Sequence, residues 1–112
     1  MIIKSVKDLQ VQENPHKVDV RQMYNHDNAQ AMHMTLNPGQ SLKPHITPVD
    51  VFFFVIEGTP TIQVGDEVVT VEKDSLVESP KDIVHCISNS SDTLARILVV
   101  KAPKQTTKAI LL

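Results

Sequence analysis

Five histidines carry most of the chemistry that this 112-residue sequence can offer. His45 and His85 are the informative pair. Each opens a stretch of β-type alternation, and they lie forty positions apart. Counted by parity, His45, Thr47, Val49, Val51 and Phe53 share one face of the first stretch, and His85, Ile87 and Asn89 share one face of the second. If both faces line the same cavity, two imidazoles converge there, and convergent imidazoles are the usual start of a transition-metal site. A lone histidine would more often be a satisfied polar residue; the pair is what suggests a site.

The other polar side chains are weaker candidates. His33 stands between Met32 and Met34 on the opposite parity, so either it or the methionines face inward. His16 and His26 read as surface residues. Asp50 is one residue off the parity of His45. A bulge near Pro48 would turn it inward and complete a set of two histidines and a carboxylate, as in non-haem iron sites. Without a bulge it faces solvent at the rim, which is the simpler reading. Glu78, just before Pro80, is a lesser alternative. Cys86 has the parity opposite to His85 and reads as a buried, inert thiol. As the single cysteine it excludes an intrachain disulfide framework, and the absence of a glycine-rich loop removes support for phosphate or dinucleotide binding.

Strands must position these residues. Short β-rich runs separated by Pro, Gly, Asn and Asp predict an all-β domain. The runs are His16 to Tyr24 (Val18, Val20 and Tyr24 on one face), Ala29 to Leu36, Val49 to Glu57, Thr61 to Val64, Glu67 to Glu72, Ser75 to Glu78, Val84 to Asn89 and Thr93 to Lys101. Gly65-Asp66 reads as a hairpin turn, and Ser5 to Gln10 as one helical turn capped by Ser5. Eight or so strands without long helices imply a sandwich or barrel in one domain, residues 1–112. Val51 to Ile56 is apolar on both faces, and Phe52-Phe53-Phe54 therefore reads as core plus subunit interface, which predicts a homodimer. Hydrophobic residues make up 41% and charged residues 21%, a globular profile. A net charge of −2 argues against nucleic acid or an acidic membrane as partner. The N-terminus lacks the apolar core of a secretory signal, so a cytoplasmic protein is expected.

Two spacings resemble a known family. Gly39, His45, Thr47, Val51 and Gly58 follow the first cupin motif, G-x5-H-x-H-x3-4-E-x6-G. Lys73 through Asn89 is similar to the second, G-x5-7-P-x-G-x2-H-x3-N, with Pro80, Asp82, His85 and Asn89 at its spacings. The resemblance covers about residues 30–101. It implies a double-stranded β-helix, a jelly roll of two packed sheets with a cavity at one end. Carried over residue by residue, the family's metal-ligand positions are His45, Thr47, Val51 and His85, so two of four ligands survive and the carboxylate is lost. The motif's two glycine positions hold Lys73 and Asp82, with Asp74 keeping the family's turn aspartate.

The expected cavity lining is thus His45, Thr47, Val51, Phe53, His85 and Asn89. A divalent ion (iron, manganese, nickel or zinc) would be held weakly by His45 and His85. The resulting expectation is a small-molecule-binding cupin. The alternatives are a cupin enzyme acting on a small polar or carbohydrate-like substrate, through a metal or with His45 or His85 as general base, and a structural barrel with a vestigial site.

Overall fold

A computed structural model describes residues 1–112. Ten strands follow a 3-10 turn at Val6–Asp8: β1 Asp19–His26, β2 Ala29–Leu36, β3 His45–Ile46, β4 Val51–Glu57, β5 Thr61–Val64, β6 Glu67–Thr70, β7 Leu76–Ser79, β8 Val84–Ser88, β9 Ala95–Lys101 and β10 Ile110–Leu111. They form two five-stranded antiparallel sheets, ordered β1-β2-β9-β4-β7 and β10-β3-β8-β5-β6. This is the double-stranded β-helix. No helix is long and apolar enough to cross a membrane.

Alternation explains the layers. On β4, Val51, Phe53 and Val55 are buried while Phe52, Phe54 and Ile56 are half-buried on the other face. On β9, Ala95, Ile97 and Val99 point into the core, and from the opposing sheet Ile62 and Ile87 meet them in one apolar cluster. Burying a side chain of this size contributes roughly 1.5–3 kcal/mol, which is why the inward parity of each strand is so uniformly aliphatic.

Three local expectations need correction. The run from His45 to Phe53 is not one strand. It is β3 in one sheet and β4 in the other, with the chain crossing between them at Thr47–Asp50. Asp50 at this crossing is exposed, as the simpler reading has it, and its Oδ1 accepts the Lys81 N–H at 2.9 Å. On β1 a bulge between Gln22 and Tyr24 breaks the parity, so Val18 and Val20 are buried while Tyr24 is 49% exposed. The N-terminal turn forms, but the Ser5 side chain makes no cap hydrogen bond.

The turns show how the departures from the motif are tolerated. Asp82 takes a left-handed conformation, φ 65°, as the glycine it replaces would. At the other glycine position the left-handed residue is Asp74, φ 67°, so Lys73 beside it carries no strain. Gly58 is different. Its φ is 81°, and a Cβ there would overlap the Leu94 carbonyl oxygen and lie 2.9 Å from Ala95 Cα. Gly39, φ 85°, has nothing within 4 Å of the same position. Gly58→Ala is therefore expected to cost about 3 kcal/mol of unfolding free energy, through backbone overlap added to strain. Gly39→Ala should cost about 1 kcal/mol, from conformation alone. Urea denaturation of the two variants checks this; equal losses would contradict the close approach at Gly58.

Candidate functional site

Between the sheets lies a cavity of about 560 Å³. Its walls are mostly apolar, from Val20, Met32, Met34, Leu42, Val51 and Phe53. Thr47, His16, His45, His85 and Lys101 supply polar groups. Residues 12–16 also line it, as do Gln105, Lys108, Ala109 and Leu111 near the C-terminus.

The histidines meet because of strand register. His45 pairs directly with His85 across the β3–β8 ladder. Their rings pack edge to face with centroids 4.5 Å apart, and Phe53 packs edge-on to His85 at 5.3 Å. The two Nε2 atoms are 3.1 Å apart. Thr47 Oγ1 lies 3.0 Å from His85 Nε2, and Ser79 Oγ 2.7 Å from His85 Nδ1.

One backbone carbonyl orders the protons of this network. His45 Nδ1 lies 2.8 Å from the Lys43 carbonyl oxygen, which can only accept, so Nδ1 carries the hydrogen. Neutral His45 then has a lone pair at Nε2. His85 Nε2–H donates to it and to Thr47 Oγ1, and His85 Nδ1 accepts from the Ser79 hydroxyl. His16 is fixed in the opposite sense. Its Nδ1 accepts the Lys43 N–H at 2.8 Å, so in the neutral ring Nε2 carries the hydrogen. Lys43 thereby sets two imidazoles with its two peptide groups.

All three rings are held neutral. Burial, followed by the fields of His45, Lys101 and His16, lowers the His85 pKa to about 4. Burial and the neighbouring His45, Lys43 and Lys101 lower that of His16 to about 4. His45 is lowered by burial, against a rise from its hydrogen bond to Lys43. Lys101 is itself lowered by burial.

This donor set does not fit a tightly held resident metal. The 3.1 Å separation of the Nε2 atoms is close to the ~3 Å between two nitrogens bound at right angles to one ion. His85 could present a lone pair by moving its hydrogen to Nδ1, because the Ser79 hydroxyl can accept as well as donate. The count is what fails: no group of three His, Cys, Asp or Glu side chains is arranged to hold an ion. His16 has its Nδ1 lone pair committed to Lys43, and Lys101 adds positive charge to the same cavity.

The sequence-predicted residues divide clearly. His45, Thr47, Val51, Phe53 and His85 line the cavity together. Asn89 does not: it is buried, and its amide donates to the Leu36 and Thr93 carbonyls at 2.9 and 2.8 Å, tying down a turn. His33 faces away from the cavity, which Met32 and Met34 line instead, and its Nε2 accepts from Arg96 Nε at 3.0 Å. Glu78 is exposed, and Cys86 is half-buried with its Sγ against the Leu42 carbonyl. His26 is exposed. The surface reading of His16 is corrected: it is half-buried, with its ring 4.8 Å from that of His45. Lys101 is a site residue that motif spacing does not mark, although it continues the inward parity of Ala95, Ile97 and Val99.

The lowered histidines have a consequence for stability. Folded His16 and His85 titrate near 4, whereas imidazoles of the unfolded chain titrate near 6.5. Between those values the unfolded chain binds more protons, so stability is full above pH ~6.5 and falls as the pH drops toward 4. For the buried His85 the full difference is on the order of 3 kcal/mol; half-buried His16 adds less. Urea unfolding at stepped pH should show this slope, and His85→Gln should remove much of it. An unaltered slope in that variant would contradict the assignment.

Comparison with known proteins agrees with this architecture. The cupin domain family matches residues 32–101, more than half of the chain. A protein of Thermus thermophilus is similar in structure, with TM-score 0.79 and 29% identity over 92% of this chain and 98% of its own. A Klebsiella pneumoniae protein with a double-stranded β-helix domain gives TM-score 0.81 and 20% identity, covering 97% and 95% of the two chains. The polyketide cyclase RemF of Streptomyces resistomycificus gives TM-score 0.86 and 16% identity, covering 100% and 85%. No curated relative matches the chain by sequence. With its barrel, both motif spacings and the family match in agreement, the chain belongs to the cupin family.

Proposed function

We propose that this cupin binds a small, largely apolar molecule in its barrel cavity and receives one polar end of it at the cluster of Thr47, His45 and His85. The observation that supports this most directly is the contrast within one cavity of about 560 Å³, where an aliphatic, methionine and phenylalanine wall surrounds a compact polar group. That wall disfavours a carbohydrate, whose hydroxyls would go unpaired against it. Binding is favoured over general-base catalysis because an imidazole held near 4, as His85 is, is a weak base at neutral pH. RemF acts as a polyketide cyclase, and at 16% identity it lends this chain its fold and not its reaction.

A divalent ion such as iron, manganese, nickel or zinc would be held by His45 and His85 alone, and therefore weakly. In a thermal-shift screen of small hydroxylated and carbonyl compounds, binders should raise the melting temperature, and Met32→Trp, which fills the cavity from its wall, should abolish the effect. Zinc alone should bind reversibly and weakly. His45→Ala or His85→Ala should remove that binding, whereas Asp50→Asn should leave it intact. One ion retained tightly through purification, and kept by either histidine variant, would overturn this reading.

A second copy of the chain is the proposed partner. On the outer face of the first sheet, Phe52 pairs with Val100, and Phe54 with both Leu98 and Leu76. These make a contiguous apolar surface in which Leu76 is 52% exposed. Sedimentation should show a dimer, and Phe52→Glu should shift it to monomer. A monomer at every concentration tested would rule the pairing out.

A further inference from the structure

Lys101 is the last inward residue of β9, opposite Val51 of β4, and it forms part of the cavity wall. Its Nζ has one hydrogen-bond partner, the neutral Oε1 of Gln105 at 2.6 Å. The chain contains two ion pairs, Arg21–Asp19 and Arg96–Glu57, and neither involves Lys101. The other titratable groups on the cavity offer no compensation. His16, His45 and His85 are neutral, Lys108 is a second cation, and Glu13 is an exposed rim residue beyond ion-pair distance. Lys101 is half-buried, and a cation partly withdrawn from water is stabilised when an anion accompanies it. Burial also holds the Lys101 ammonium below its ordinary value.

We infer that the ligand supplies that charge: it is a molecule with an apolar body whose polar end is a carboxylate, and Lys101, whose field reaches His45 and His85 in the same cavity, is the residue that receives it. This rests on the cavity being a ligand site and adds the class of ligand to it. The apolar walls take the body of the molecule, and the Gln105 carbonyl steadies the ammonium from the C-terminal segment. A neutral molecule of the same shape would fill the cavity but leave Lys101 uncompensated. The acid should therefore be preferred over its uncharged counterpart by a margin that depends on this one side chain.

The test uses matched pairs, octanoate with octanamide and 3-phenylpropanoate with 3-phenylpropanamide, titrated calorimetrically into the full chain at neutral pH. At least one acid is expected to bind about tenfold tighter than its amide, equivalent to about 1.4 kcal/mol. Lys101→Met keeps the aliphatic stem and should abolish the preference of the acid over its amide. Lys101→Arg should retain the preference. Equal binding of acid and amide by the parent protein would overturn the role of Lys101 and leave the cavity a ligand site. A preference that survives in Lys101→Met would overturn it as well. Binding of none of the four would overturn both this inference and the ligand-binding reading beneath it.

Discussion

The two-residue ladder between β3 and β8 decides what this barrel can do. Direct pairing of His45 with His85 sends both side chains to the same face and brings Nε2 to Nε2. A slip of one residue would turn His45 outward and present Ile46 in its place. So short a ladder does not hold register alone. The approach to it is pinned by backbone bonds from Leu42 to Ile87, Gly39 to Asn89 and Asn89 to Gln40. Behind these stands the Asn89 amide, spent on the Leu36 and Thr93 carbonyls. Asn89 thus serves the site from outside it, by fixing the frame in which His45 and His85 meet.

Within that frame, charge is the organising quantity. The three imidazoles, His85 buried and His16 and His45 half-buried, lie near one another and near Lys101, so protonating any of them would place like charges together in a poorly solvated space. The cavity resolves this by keeping the rings neutral and pairing their nitrogens with backbone and hydroxyl groups. A metal site of the family's usual kind would instead bring a carboxylate to offset the ion. Here Val51 occupies that position, and the positive charge in the cavity belongs to the protein. Replacing a carboxylate by an aliphatic side chain and ending β9 with a lysine move the cavity in the same direction, from holding a cation toward accommodating an anion.

The sequence makes the fold and half of the site legible for one physical reason. Strand alternation and motif spacing both report local geometry, and His45, Thr47, Val51, Phe53 and His85 sit where local geometry governs. The failures occur where distant contacts govern. His16 heads the first alternating run but precedes β1 itself, and its place is set by the N–H of Lys43, twenty-seven residues away. Asn89 shares the parity of His85, but it lies just past the end of β8, where the chain turns and parity no longer predicts direction. Lys101 escapes a sequence reading for another reason: a lysine at a strand end ordinarily extends into water, although its parity with Val99 is visible in the sequence.

Stability is distributed unevenly around the cavity, and this separates its two parts physically. The interior wall belongs to the long ladders β2–β9 and β4–β9, whose inward residues form the main core. The opening is framed partly by β10, which is exposed and joined to β3 through two residue pairs and the bond from Leu112 N–H to the Pro44 carbonyl. Displacing a segment with so few buried contacts costs far less than unfolding the core. The His45–His85 pair is also held through β8, in the middle of its sheet, so the polar cluster does not rely on β10 alone for its shape. Gln105 belongs to the looser part, and through its hydrogen bond to Lys101 it links the opening to the half-buried cation. The charge at the wall is therefore oriented by the less stable segment, whereas the histidines are oriented by the more stable one.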